Sequence, residues 1–140
     1  MSFGTRMATR GKDASPPIGN RILIVDDNRD AADSLAMLLS LDGHDVHVSY
    51  TGRAALEAVR EWRPSIVVLD LGLPDLNGFE VARRLRSDES LGPVRLIALT
   101  GWGQADDRRR TLEAGFDHHL TKPVDPDQLN RLLQGVERHD

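Results

Sequence analysis

Five side chains in this sequence have the types and spacing to do chemistry together: Asp26, Asp27, Asp70, Thr100 and Lys122. Asp26-Asp27 closes the apolar run Ile22–Val25, Asp70 closes Ile66–Leu69, Thr100 closes Val94–Leu99, and Lys122 follows a weaker run ending at Leu120. Three carboxylates brought together repel strongly unless a cation joins them. Their ligand atoms are all oxygens, which points to a hard cation, Mg2+ above all. Lys122 adds a further positive charge. Metal and ammonium together could neutralise the oxygens of a phosphoryl group while a carboxylate attacks phosphorus. The Thr100 hydroxyl could donate to one of those oxygens.

These residues meet only if the runs before them lie side by side and point the same way. Short, β-branched, fully apolar runs read as buried parallel strands. Between them lie helix signals. Asn28 caps a helix whose Ala31, Leu35, Leu38 and Leu39 share a face, and Gly43 stops it. Val46 and Val48 alternate with His47 and Ser49 as a second strand; Thr51 starts a helix with Ala55, Val59 and Trp62 inward, ended by Pro64. Asn77 opens a third helix with Glu80 three residues on, close to a capping box. A polar helix is predicted from about Gln104 to Ala114, and a weak strand over Asp117–Leu120. Asp125-Pro126-Asp127-Gln128 starts a last helix with Leu129, Leu132, Leu133 and Val136 on its inner face. Five βα units predict a parallel sheet with helices on both faces. In such a sheet the five residues gather at the carboxyl edge, where open α/β folds place their sites.

The remaining composition narrows the field. The chain has 140 residues, the size of one compact domain, and 39% hydrophobic residues, with no apolar run long enough to span a bilayer. Residues 1–19 are polar, Gly/Pro-rich and aperiodic, and read as a disordered tail or linker ahead of a domain at 20–138. They lack the apolar stretch of a secretory signal, and Met7 could be an alternative start. No cysteine is present, which excludes disulfides and thiolate metal sites and fits a cytoplasmic location. A net charge of −4 argues against a general nucleic-acid binder, and Arg108-Arg109-Arg110 reads as a solvated helix face. Trp62 reads as core and Trp102 as either packing or a partner surface.

The segments ILIVDDN (22–28), VVLDLGLPDLNG (67–78), LIALTG (96–101) and TKPVD (121–125) resemble the receiver domains of response regulators. The Asp-x-x-x-Pro-x-x-x-Gly spacing is intact as Asp70, Pro74 and Gly78, and the resemblance runs over residues 20–137. It implies a flavodoxin-like doubly wound sheet of order 2-1-3-4-5 with five helices. It implies that Asp70 takes a phosphoryl group from a histidine kinase or histidine phosphotransfer protein. Mg2+ would be held by Asp27, Asp70 and the backbone carbonyl of Gly72, with Asp26 acting mainly through water. Lys122 would pair with the acceptor or its phosphoryl group, and Lys122-Pro123 would be a cis bond. Thr100 and the residue three before the lysine would form the switch that alters the surface near the fourth helix and fifth strand. That residue is His119 here, in place of the commoner Tyr or Phe, and Gly72 leaves the acyl phosphate open to water. Such a domain is a phosphoacceptor and not an enzyme acting on outside substrates. It implies a downstream protein target and no direct contact with nucleic acid or membrane, and it leaves homodimerisation open. The run GFDHHLTKPVDPDQL is most similar to receivers of hybrid histidine kinases; with no kinase or DNA-binding sequence beside it, the chain reads as a stand-alone or excised receiver.

Three other readings compete. A phosphatase of the haloacid dehalogenase type needs an acid two residues after its nucleophile, where this chain has Gly72. A degenerate receiver that only docks partners would lack the acceptor or an acidic residue, and all are present. A flavodoxin-like cofactor binder would carry a Ser/Thr/Gly-rich phosphate loop after the first strand, and Asp26-Asp27-Asn28 stands there instead.

Overall fold

The computed structural model describes residues 19–101 and 108–137. The tail before residue 19, Trp102 and the expected helix start near Gln104 lie outside the described residues. Five strands run β1 (Arg21–Val25), β2 (Asp45–Ser49), β3 (Ile66–Asp70), β4 (Arg95–Thr100) and β5 (His118–Thr121). Five α-helices alternate with them: α1 (Arg29–Leu41), α2 (Gly52–Trp62), α3 (Gly78–Ser87), α4 (Arg108–Ala114) and α5 (Pro126–Glu137). A short 3-10 turn at Glu89–Leu91, not anticipated from the sequence, leads into β4. The strands form one sheet of order β2-β1-β3-β4-β5, and every neighbouring pair is parallel.

The sheet divides the core in two. Leu23, Val25, Val67, Leu69, Leu96 and Ala98 face α2, α3 and α4. Ile22, Ile24, Ile66, Val68, Ile97 and Leu99 face α1 and α5. Strands covered on both sides must be apolar at every position, which is why β1, β3 and β4 read as unbroken runs. Trp62 is buried as expected, with His47 stacked on its ring at 3.8 Å and the Arg21 guanidinium over it at 4.8 Å.

The helix starts follow the caps foreseen. Asn28, Thr51 and Asn77 each accept a hydrogen bond from the backbone N–H three residues on. Glu80 pairs with Arg84 at 3.0 Å and Arg83 at 3.7 Å. The inward face of α1 is shifted from the expected one: Ala32, Leu35 and Leu39 are buried, while Ala31 is exposed and Leu38 is 42% exposed. The buried set follows the i, i+3, i+7 line and packs with Ile22 and Ile24 of β1 and Val46 of β2. Ala31 and Leu38 sit to one side, where they line a groove with Pro123, Val124 and Pro126. In α5, Leu129 and Leu133 are buried and Leu132 is half-buried; the side chain of Val136 is outside the description. Arg110 does more than solvate its helix, since its guanidinium lies over the Phe79 ring at 4.3 Å.

Candidate functional site

Asp26, Asp27 and Asp70 converge at the carboxyl edge of the sheet. One carboxylate oxygen from each lies within 4.8 Å of the others. Asp70 is the last residue of β3, and Asp26 follows β1, its N–H held by the Ser49 carbonyl at the end of β2. Both are nearly sealed from solvent, with Asp26 3% and Asp70 6% exposed, whereas Asp27 is exposed. The two buried members therefore carry the desolvation cost, and the third faces outward, where a small ion could enter.

Lys122 reaches into this cluster from the end of β5. Its Nζ lies 3.0 Å from Asp70 Oδ2 and 3.2 Å from Asp26 Oδ2. Burial works against the ammonium, but the two carboxylates outweigh it and hold its pKa above the ordinary lysine value. Burial pushes the Asp26 carboxyl up, and the Asp70 charge adds to that; the Asn28 amide and Lys122 only partly counter it. The cluster is thus electrostatically loaded, and another cation would lower its energy. The Lys122–Pro123 bond is cis, as the resemblance implies.

The acceptor candidate is held by its own loop. Asp70 Oδ1 accepts from the Gly72 N–H at 3.0 Å. Among the described residues a Cβ on Gly72 would meet only Asp70 Oδ1, at 3.7 Å, which leaves room for a side chain beside the carboxylate. Gly78 is the opposite case. A Cβ there would stand 2.7 Å from Leu71 Cα and 2.8 Å from the Asp70 carbonyl oxygen. Its N–H donates to the Leu71 carbonyl at 3.0 Å. The glycine of the motif lets the first turn of α3 close directly onto the backbone of the acceptor strand.

Thr100 and His119 lie beyond this inner group. Thr100 is 1% exposed, and its hydroxyl donates to the Leu120 carbonyl at 3.4 Å, across to β5. His119 pairs in register with Ala98. It therefore points to the α4 side of the sheet, where it lines a cavity with Thr111, Leu112 and Phe116. Its ring is half-buried, and Nε2 is buried with no hydrogen-bond partner among the described residues. Asp26, Asp27, Asp70, Thr100 and Lys122 thus stand at one edge of the sheet, with His119 behind it. The contact of Lys122 with Asp26, and the Gly72 amide on Asp70, were not legible in the sequence.

The donor set suits a hard divalent cation. Three carboxylates supply oxygen ligands only, and a partly exposed member leaves an entry path. Among the described residues no helix is long and apolar enough to cross a membrane.

Comparison with known proteins agrees with this architecture. Residues 22–134 match the family model of the response regulator receiver domain. The chain is 38% identical over 113 residues to the 14.6 kDa protein in the sodA1 3' region of Leptolyngbya boryana, covering 81% of this chain and 86% of that one. It is 42% identical over 121 residues to the DNA-binding response regulator MtrA of Mycobacterium tuberculosis, covering 86% of this chain and 52% of MtrA. The chain thus spans about half the length of the DNA-binding relatives it matches. Among solved structures, the receiver domain of the sensor histidine kinase PA1611 from Pseudomonas aeruginosa has a TM-score of 0.74 at 32% identity, covering 83% of this chain and 95% of that one. That structure has a magnesium ion coordinated in its active-site cleft. A response regulator receiver domain protein from Methanospirillum hungatei has a TM-score of 0.75 at 29% identity, over 85% of this chain and 94% of that one. With the family match running from the first strand into the last helix, the chain belongs to the receiver domains of two-component response regulators.

Proposed function

We propose that this receiver takes a phosphoryl group on Asp70 from a phosphohistidine donor, with Mg2+ in the acidic cluster. The observation that carries the reading is the convergence of Asp26, Asp27 and Asp70 within 4.8 Å, with Lys122 at hydrogen-bond distance from the acceptor candidate. Asp70 alone among the three is the last residue of a buried strand; its Oδ1 accepts from the Gly72 N–H and its Oδ2 faces Lys122 Nζ, as the oxygens of Asp26 are held by the Asn28 N–H and Lys122. One carboxylate oxygen attacks phosphorus, the P–N bond to the donor imidazole breaks, and the leaving imidazole takes a proton from solvent. Asp27, Asp70 and the Gly72 carbonyl would hold the metal directly, and Asp26 through water. Bound there, Mg2+ supplies charge stabilisation to the phosphoryl oxygens in transfer. Lys122 would then pass from the carboxylates to the phosphoryl group.

Thr100 and His119 form the proposed switch. Thr100 would exchange its Leu120 carbonyl for a phosphoryl oxygen, and His119 would move with it beneath α4. The surface at α4 and β5 would be read by a downstream protein. The donor would be a sensor histidine kinase or a histidine phosphotransfer protein. The groove beside α1, of about 440 Å³ and bordered by Leu38, Pro123 and Val124, opens next to Asp26 and Lys122 and suits an apolar helix carrying the donor histidine. The cytoplasm, beside its donor, is the location proposed for this receiver.

The test is chemical. Incubation with acetyl phosphate and Mg2+ should add one phosphoryl group per chain, seen by intact-mass spectrometry. Asp70→Asn should abolish the adduct. Full labelling of the Asn variant at another residue would sink the assignment. Phosphotransfer profiling against the histidine kinases of the source organism would then name the donor.

A further inference from the structure

Asp75 is exposed and lies outside the acidic cluster, yet it is tied more tightly than any loop carboxylate needs to be. It stands in the loop from β3 to α3, five residues after Asp70 and three after Gly72. Its Oδ1 accepts from the Gly52 N–H at 2.9 Å and its Oδ2 from the Arg53 N–H at 3.0 Å. Those are the first two amides of α2, which the helix itself cannot satisfy. The third, Ala54 N–H, goes to Thr51 Oγ1 at 3.1 Å. The helix end is therefore capped twice, once by its own residue and once by the acceptor loop. Partial desolvation pushes the Asp75 carboxyl up, but the amides of Gly52, Arg53, Leu76 and Asp75 itself hold it below the ordinary carboxylate value.

The packing around this cap is close. A Cβ on Gly52 would come within 2.9 Å of Leu76 Cβ and 3.2 Å of the Leu76 carbonyl, so the loop lies directly on the helix end. At its other end the loop is fixed by Leu71, whose N–H donates to the Leu99 carbonyl and whose carbonyl accepts from Gly78. Residues 72–74 bridge these two clamps.

From this geometry we infer that Asp75 is a positioning residue for the acidic site: by clamping the loop to α2, it fixes the backbone of Gly72 beside Asp70. This rests on the reading of the Gly72 carbonyl as a metal ligand. A ligand group held in place loses less freedom when an ion binds, and groups that orient ligands typically change metal affinity by about 10- to 100-fold.

Calorimetric titration of the full chain with MgCl2 tests the inference on wild type, Asp75→Ala, Asp75→Asn and Thr51→Ala. Asp75→Ala should weaken Mg2+ binding roughly tenfold. Asp75→Asn keeps one acceptor oxygen and should fall between it and wild type. Thr51→Ala removes a bond from the same helix end without freeing the loop, so it should lower the melting temperature and leave Mg2+ affinity unchanged. Amide exchange at Gly52 and Arg53 should quicken in Asp75→Ala. Wild-type affinity in both Asp75 variants would overturn the positioning role, as would an equal loss in Thr51→Ala. If Asp75→Ala does not fold, the Asn variant decides by the same criterion. Absence of Mg2+ binding in wild type would instead overturn the metal reading on which the inference rests.

Discussion

Removing Lys122 should destabilise the metal-free protein, and Mg2+ should repair much of the loss. The ammonium bridges two nearly buried carboxylates at 3.0 and 3.2 Å. In an effective dielectric of about 20, each such contact is a gross attraction of roughly 5 kcal/mol. Most of that is offset by desolvation and by the ordering of a long side chain. The Lys122 side chain is 31% exposed, between the fully exposed pairs worth about 0–1 kcal/mol and the buried pairs whose breaking costs about 3–5 kcal/mol. A loss of about 2 kcal/mol for Lys122→Ala follows, or roughly 4–8 °C in Tm for a domain of this size.

The same variant should bind Mg2+ more tightly, because the metal no longer competes with the ammonium for Asp70. Millimolar Mg2+ should therefore raise its Tm by more than it raises that of wild type, narrowing the gap. The pH dependence has a definite sign. Burial, aided by Asp70 and opposed by Asn28 and Lys122, holds the folded-state pKa of Asp26 above its unfolded value. Such a group contributes stability that is complete below the unfolded pKa and is lost as pH rises through the folded one. Deleting Lys122 removes a charge that favours ionised Asp26, so the deficit of the variant in EDTA should shrink as pH falls from 7 toward 5. Thermal melts of both proteins, with EDTA and with Mg2+, at pH 7 and pH 5, are sufficient. A variant that melts with wild type in EDTA would refute the charge-compensation argument. A deficit that neither Mg2+ nor acid reduces would assign it to packing.

Asp27→Asn should act in the opposite direction: it should raise Tm in EDTA by about 2–4 °C and lose most of the Mg2+-dependent rise. Loss of a helix cap would lower Tm in both conditions, and the cap of α1 is Asn28, which the substitution leaves in place. Gly72→Met should lengthen the lifetime of the acyl phosphate several-fold, because the open space beside Asp70 Oδ1 admits a side chain that excludes water; unchanged decay of the phosphorylated protein would count against this. The His119 ring signals in NMR spectra should shift on phosphorylation if the ring moves beneath α4. Unchanged signals would remove it from the switch.

Much of the fold was legible because the strands that carry the site are covered on both faces. Such strands cannot alternate, so their ends are marked sharply where polar residues begin: Asp26, Asp70 and Thr100. The inner face of α1 was harder. Adjacent Ala31 and Ala32, and adjacent Leu38 and Leu39, fit two neighbouring faces almost equally well. What separates them is the sheet: Ala32, Leu35 and Leu39 pack with Ile22, Ile24 and Val46, a contact that residue type alone does not select. Lys122 posed a similar problem. Its place at the end of β5 and, by resemblance, its pairing with Asp70 were readable, but not that its side chain also reaches Asp26 after β1. Thr100 was rightly placed at the edge, yet its hydroxyl is engaged by the Leu120 carbonyl, an interaction fixed by strand register and not by residue type.

The spacing Asp-x-x-x-Pro-x-x-x-Gly illustrates what a motif encodes when its residues do no chemistry. Seven residues separate Asp70 from Gly78, yet the chain returns so closely that any side chain at 78 would collide with the backbone of residues 70 and 71. The loop must reverse within that length and keep Gly72 facing the acceptor. Leu71 and Leu73 anchor it by burial, and Asn77 starts the helix that ends it. Asp75 is the remaining fixed point, and its partners belong to another helix. In sequence it is one more polar residue in a turn, because no local pattern ties residue 75 to residues 52 and 53. A residue that accepts from the amides of a distant helix end becomes visible once the backbone is folded. That is why Asp75 emerged from the structure, while Asp70, Pro74 and Gly78 were found by their spacing.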